Sequence, residues 1–340
     1  MRFFHFLIAL IFLSLVSCIK DKPPVDHNKV DLTSSGVYIV NEGNFQFGNA
    51  SVSYYDIAAN SAQEDVFKSV NNKALGDVAQ SMYAANGRLY IVVNNSGKIE
   101  VVDTSTFISS GKITGLISPR FFVPVNSTKA YVSDYLANAI SVVDLSTSSV
   151  SGSIPCTGWT EEILLSNGKV FVTNMQRDKV YVINTTTDVI TDSIAVNYSS
   201  NSIQQDKNGK IWVLCGGDSK ISGGLHRINP TTLKVEASFT FASGNPWRLK
   251  MNGSKDTLYF LNKGVYAFPI TASALPSQAL IAEGNRSYYG LGVDPLSGVI
   301  YVADAMDYVQ KSTIYRYTAN GTLLSSFKAG INSSDFYFKP

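Results

Sequence analysis

From Gly36 onward the chain alternates short runs of β-branched, aliphatic and aromatic residues with clusters of Asn, Ser, Asp, Thr and Gly. Such runs are strand signals and such clusters are turn signals. The stretch from Arg120 to Pro155 shows the unit most clearly. Phe121 to Val125 is apolar, and Asn126-Ser127-Thr128-Lys129 is a turn. Ala130 to Ser133 alternates around Tyr131, Asp134 to Asn138 is a polar loop, Ala139 to Asp144 alternates again, and Val150 to Ile154 closes the unit. The pattern predicts a four-stranded antiparallel meander. One such sheet has two faces to bury, so it requires neighbours of its own kind.

The neighbours are written into the same chain. The aromatic of the second strand recurs at Tyr38, Tyr90, Tyr131, Phe171, Trp212, Tyr259 and Tyr301, about every 40–50 residues. The third strand repeats as SVSYYD to Asp56, IEVVD to Asp103, ISVVD to Asp144, VYVIN to Asn184 and LHRIN to Asn229, then degrades to VYAFP and IYRYT. Seven units of this length predict an all-β fold, a seven-bladed β-propeller over residues 36–340. A parallel β-helix would repeat over a much shorter period.

The first unit lacks a first strand, because Gly36 to Asn41 already matches a second strand. The missing piece is predicted at the other end, where Phe336-Tyr337-Phe338 follows the last strand of the seventh unit. That tail would supply the innermost strand of the first blade and close the ring, leaving no open sheet edge.

Residues 1–17 read as a targeting segment, with Arg2 ahead of the apolar run Phe3 to Val16. Leu15-Val16-Ser17-Cys18 resembles the lipobox of bacterial lipoproteins, which implies cleavage before Cys18 and lipidation at that cysteine. The acyl chains would then be the only membrane anchor. Residues 18–35, with Lys20, Asp21, Lys22, Pro23, Pro24 and Asp26, read as a flexible tether. Of 28 basic and 26 acidic residues only Arg2 falls in the leader, so the remaining chain is close to electroneutral. That excludes a strong electrostatic drive toward nucleic acid. Cys156 and Cys215 stand a whole unit apart and are expected to be free, buried thiols.

In this architecture two sets of loops share one face: those between second and third strands, and those that lead from one blade to the next. Loops on a rigid scaffold carry function, so these positions supply the candidate site. They gather aromatics, amides and arginines. The candidate ligand-binding residues are Asn41, Glu42, Asn44, Phe45, Arg120, Tyr135, Trp159, Arg177, Trp247, Arg248, Arg286, Tyr288, Tyr289, Asp304 and Tyr308. The aromatics would pack on a ligand and the polar groups would orient it. Trp159 and Trp247 could equally plug gaps between blades, and Arg120 and Arg248 could tie blades together.

Catalytic chemistry has little to work with. Beyond the leader the histidines are His27 in the tether and His226 in a third strand, too few for a Ser-His-Asp or multi-histidine centre. His226 is expected to be a sheet residue. The glycine pairs Gly216-Gly217 and Gly223-Gly224 have no following helix to hold phosphate. No cofactor is implied. One enzymatic reading survives, a lactonase using a divalent cation held by Glu42, Asn44, Asp134, Asn174 and Asp304.

The lipobox-like stretch, the seven units, Gly36 to Asn44, Ala50 to Asp56 and the terminal Phe336-Tyr337-Phe338 together resemble the YncE-type seven-bladed propeller lipoproteins of Bacteroidetes. That group includes surface lipoproteins that capture vitamin B12 for a TonB-dependent outer-membrane transporter. The resemblance implies a non-enzymatic, lipid-anchored capture protein at the outer membrane, with a corrinoid as the leading ligand and such a transporter as partner. The alternative is a surface module that binds glycan or protein.

Overall fold

The computed structural model describes Leu32 and residues 34–339. The expected leader, the lipidation site Cys18 and nearly all of the tether lie outside the described residues. The described strands form seven four-stranded antiparallel sheets. The fold is a seven-bladed β-propeller.

Blades 2 to 7 are each built in chain order from inside to outside, and their inner strands are Ala79–Ala85, Pro119–Pro124, Thr160–Ser166, Ser200–Gln205, Trp247–Met251 and Tyr288–Val293. The inner strand of blade 1 is the C-terminal Ser333–Lys339, paired antiparallel to Gly36–Asn41 with Tyr38 opposite Tyr337 and Ile39 opposite Phe336. The closure predicted from Phe336-Tyr337-Phe338 is therefore present. Each inner strand lies against its counterparts in the two neighbouring blades, so the ring is continuous around a central channel.

The core sits between blades. The second-strand aromatics Tyr38, Tyr90, Tyr131, Phe171, Trp212, Tyr259 and Tyr301 are all buried. Tyr90 of blade 2 stacks on Phe122 of blade 3 with ring centroids 4.6 Å apart. Tyr301 of blade 7 meets Phe338 of blade 1 edge-on at 5.4 Å. Burying one such side chain stabilises the fold by roughly 2–3 kcal/mol, which explains why one large ring recurs in each repeat. At the closure the inner strand of blade 7 is thinned by glycine. A Cβ on Gly292 would stand 2.8 Å from the Cβ of Phe336, and one on Gly290 would stand 2.6 Å from the Ser333 carbonyl oxygen. Glycine is what lets the last strand approach this closely.

Two features differ from the sequence reading. Blade 1 has a short outer strand, Ser61–Gln63, followed by the helix Val66–Asn71, which buries Val66 and Phe67. Asp65 caps it, accepting a hydrogen bond from the Lys68 N–H. Six residues are too few to show a helical period in sequence. The end of the expected tether is also docked: Leu32 is buried in the blade 1 core, and the Ser34 hydroxyl donates to Asp56 at 2.7 Å. The Lys339 ammonium donates to the Leu32 carbonyl, so the start of the fold is fastened to its last strand.

Candidate functional site

The site begins with a backbone irregularity that recurs in every blade. Each inner strand departs from its pairing register just after its first residue. The second residue of each is therefore bulged: Ser334, Gln80, Arg120, Glu161, Asn201, Arg248 and Tyr289 for blades 1 to 7. A bulge bends the strand and re-aims a side chain. Here it collects seven polar side chains in one layer at one end of the channel. Five of them line a chamber of about 200 Å³, together with Trp159, Trp247, Met175 and Ser202.

Within this layer the charges are paired across blades. Arg120 donates from Nε and Nη2 to the two carboxylate oxygens of Glu161 at 2.8 and 2.7 Å, and from Nη1 to Gln80. Burial pulls the Arg120 guanidinium down, but Glu161 outweighs it and holds it above its usual range. The Trp159 indole N–H also donates to Glu161, at 2.6 Å. Arg248 lies 3.6 Å from Glu42, and the Tyr289 hydroxyl donates to Glu42 at 2.8 Å. Burial, then the Glu42 charge, pushes the Tyr289 phenol up. Arg248 is held at φ 58°, a left-handed conformation that costs a non-glycine residue of order 1–3 kcal/mol. Its guanidinium lies 4.9 Å from the Trp247 ring and 5.5 Å from the Tyr289 ring, contacts that offset that cost.

Aromatic groups flank the mouth on two sides. Tyr135 and Trp159 have centroids 4.2 Å apart. Opposite them Trp247 meets Tyr289 at 5.1 Å, and Tyr289 meets Tyr308 edge-on at 5.7 Å. Most exposed large apolar side chains among the described residues belong to this same face: Phe45, Phe47, Ile117, Tyr135, Leu136, Ile221, Met306, Tyr308 and Val309. The most open of them is Phe47, at 77%.

Below the mouth lies a second chamber of about 240 Å³, whose lining includes Tyr83, Gln204, Lys250, Asp335 and Phe336. Phe121 and Glu162 line both chambers and form the septum between them. Lys250 pairs with Asp335 at 3.0 Å. Burial works against the Lys250 ammonium, but Asp335 and Glu162 prevail and raise it above the usual range. Glu162 accepts a hydrogen bond from the Ile203 N–H at 2.9 Å. Burial pushes its carboxyl up to about 7, against the opposing charge of Lys250.

The structure brings Glu42, Arg120, Trp159, Trp247, Arg248 and Tyr289 together at the mouth, with Tyr135 and Tyr308 on its rim. It places other candidates elsewhere. Asn41 is fully buried and fastens the closure, donating to Ser51 and Ser53 and accepting from Gly330 and Ser333. Asp304 accepts from the N–H groups of Ser287 and Met306 and shapes two loops. Arg286 donates to the hydroxyls of Tyr288 and Tyr317 and lies 4.2 Å from the Tyr315 ring, with Tyr288 buried among the core side chains of blades 6 and 7. Asn44 donates to the Tyr308 carbonyl and holds the rim, while Phe45 is exposed on it. Arg177 lines a separate surface hollow with Asp178, Asn197 and Tyr198.

The oxygen donors of the lactonase reading are each engaged in hydrogen bonds of their own. Asp134 accepts from the N–H groups of Ser118, Leu136 and Ala137, and Asn174 bonds to Thr157 and Gln176, so both are loop staples like Asp304. Among the described residues no group of three or more His, Cys, Asp and Glu is gathered to hold a metal ion. His226 is a buried sheet residue, hydrogen-bonded to Ser238 and to the Asn197 N–H, with burial lowering it to about 4. Sequence reasoning missed Gln80, Glu161, Glu162, Lys250 and Asp335. Their signal was the polar second, third or fourth position of otherwise apolar inner strands.

The chain matches one described protein family over residues 35–340, a domain of unknown function designated DUF5074. It belongs to that family. No curated protein matches it. Among solved structures it is similar to a quinonprotein alcohol dehydrogenase-like protein from Bacteroides thetaiotaomicron, at 17% identity and a TM-score of 0.73, over 90% of this chain and 78% of that one. It is also similar to a functionally unknown protein from Desulfotomaculum acetoxidans, at 11% identity and a TM-score of 0.68, over 90% and 98%. A candidate 6-phosphogluconolactonase from Bacteroides fragilis matches at 12% identity and a TM-score of 0.65, over 92% and 100%. At such identities these likenesses speak to the fold, which hosts many activities.

Proposed function

We propose that this protein is a non-catalytic capture protein whose ligand seats on the channel mouth. One observation carries the reading: seven strand bulges bring polar side chains into one layer, and exposed aromatic and apolar side chains ring that layer on the same face. A polar centre that fixes orientation, set within an apolar surround, is the usual composition of a small-molecule site. Paired charges at the centre suit a ligand of low net charge with many hydrogen-bonding groups.

A corrinoid is the leading candidate. The chamber of about 200 Å³ is too small to enclose so broad a ring, which would lie across the mouth. Its peripheral amides would meet Asn201, Arg120 and Arg248, and its apolar edge would meet Tyr135, Trp159 and Tyr308. By the same reading the protein is tethered to the outer membrane through lipid on Cys18 and hands its ligand to a TonB-dependent transporter. The second reading, a module that docks a protein, draws on the exposed Phe45, Phe47 and Val309.

Isothermal titration of cyanocobalamin into the full-length chain tests the first reading. The expected result is one-to-one binding, weakened at least tenfold by Trp159→Ala or Trp247→Ala. No heat removes the corrinoid. Binding that survives both substitutions removes the mouth as its site.

A further inference from the structure

The charges of the channel do not balance. The cations that line its two chambers are Arg120, Arg248 and Lys250, and each has a carboxylate of its own: Glu161, Glu42 and Asp335 respectively. Glu162 is a fourth carboxylate and forms no ion pair among the described residues. It is 93% buried, since its exposure is 7%, and it faces both chambers. The cations that act on it, Lys250 and Arg248, are each already paired with another carboxylate, so ionised Glu162 is under-compensated where it is buried, and such a group is suited to receive a positive charge or a proton.

The walls around it indicate which kind of positive charge. The lower chamber holds about 240 Å³, against about 30 Å³ for one water in the liquid. Its walls are Tyr83, Phe121 and Phe336 with apolar Met82, Ile163, Leu164 and Ile203, while Gln204, Lys250, Asp335 and Glu162 supply polar surface on which two carboxylates face one cation. Aromatic faces attract diffuse organic cations, and quaternary ammonium groups are recognised by such cages. A hard divalent cation needs several oxygen ligands instead, and this chamber offers two carboxylates, one already held by Lys250.

We propose that the lower chamber binds a small organic cation of the ammonium class, a protonated amine or a quaternary ammonium, with Glu162 as its counter-charge and Tyr83, Phe121 and Phe336 as its walls. Glu162 lines both chambers, so a cation arriving through the mouth meets it at the septum. The charged and titratable groups that act on Glu162 are Lys250, Asp335 and Arg248, and it acts in turn on Tyr83. The carboxylate must be ionised to hold the cation, so affinity falls as pH drops through about 7.

The probe is choline chloride, compared with sodium and potassium chloride at equal ionic strength, with thermal unfolding of the full-length chain at pH 8 as the readout. At ten times its Kd choline is expected to raise Tm by about 2–4 °C. The rise should disappear in Glu162→Gln, shrink at pH 5.5, and persist in Trp159→Ala, which alters only the upper chamber. No saturable rise, an equal rise with potassium, or an undiminished rise in Glu162→Gln overturns the proposal. Phe336→Leu gives a second readout, because it keeps apolar bulk but removes a ring. It should weaken choline several-fold by calorimetry, and unchanged affinity overturns the aromatic wall.

Discussion

Arg120 and Glu161, on the inner strands of adjacent blades, form a two-point ion pair at 2.8 and 2.7 Å where both side chains are almost out of water. The same guanidinium reaches Gln80, so one residue ties three blades together at the mouth. A buried pair of this kind is weak evidence of net stabilisation, but breaking it strands a charge. Arg120→Ala is expected to cost about 3–5 kcal/mol. The double substitution Arg120→Met with Glu161→Leu should recover much of that loss. Urea unfolding of the two singles and the double measures it. A cost under about 1 kcal/mol for Arg120→Ala would mean that water already solvates the pair.

The ring closure gives a second prediction. Deleting Asp335 to Pro340 removes most of the inner strand of blade 1, bares the edge of Gly36–Asn41 and strips Phe336 from its neighbours. The truncated chain should lose its cooperative melt or fall by well over 10 °C by circular dichroism. Gly292→Ala probes the same seam more gently. Its Cβ would meet Phe336 at 2.8 Å, and overpacking of this kind costs about 1–3 kcal/mol. An unchanged melting temperature in the truncated chain would refute closure by this strand.

This part of the fold was legible because it is periodic. Tyr38, Tyr131 and Tyr301 recur since each blade must bury one large ring against its neighbour, and the odd first unit pointed straight to Phe336-Tyr337-Phe338. The site was only half legible. Loop aromatics such as Trp159 and Trp247 stand out against polar surroundings, whereas Asn41 and Asp304 look equally functional in sequence, yet Asn41 fastens the closing strands and Asp304 staples loops. Telling them apart requires knowing where their hydrogen bonds go. Glu162 and Lys250 were hidden for another reason: a bulge shifts strand register by one residue, so strict alternation misassigns which side chain faces the channel. The helix Val66–Asn71 was too short to reveal a period.

Burial sets the reactivity of the two described cysteines. It pushes the Cys156 thiol up to about 12 and the Cys215 thiol higher still. Thiolate, not thiol, is the nucleophile, so both should be inert in the folded protein. Iodoacetamide at pH 8 should leave the peptides containing Cys156 and Cys215 unmodified by mass spectrometry, and label both in denaturant. Rapid labelling of Cys156 in the native chain would show that blades 3 and 4 open locally.

The unpaired Glu162 makes stability depend on pH in a defined direction. Its folded carboxyl titrates at about 7, above its ordinary value of 4.5. Between those two values the folded state binds the proton and the unfolded state does not. Stability from this group is therefore greatest at low pH and declines as pH rises through the window. Glu162→Gln mimics the protonated form. It should change little at pH 5 and stabilise the protein at pH 8 by about 3 kcal/mol at most. Thermal melts of both proteins across that range, without added organic cation, read the difference directly. Equal stabilisation at both pH values would mean that folding does not shift the Glu162 carboxyl, and a loss at pH 8 would mean that a cation within the channel already balances it.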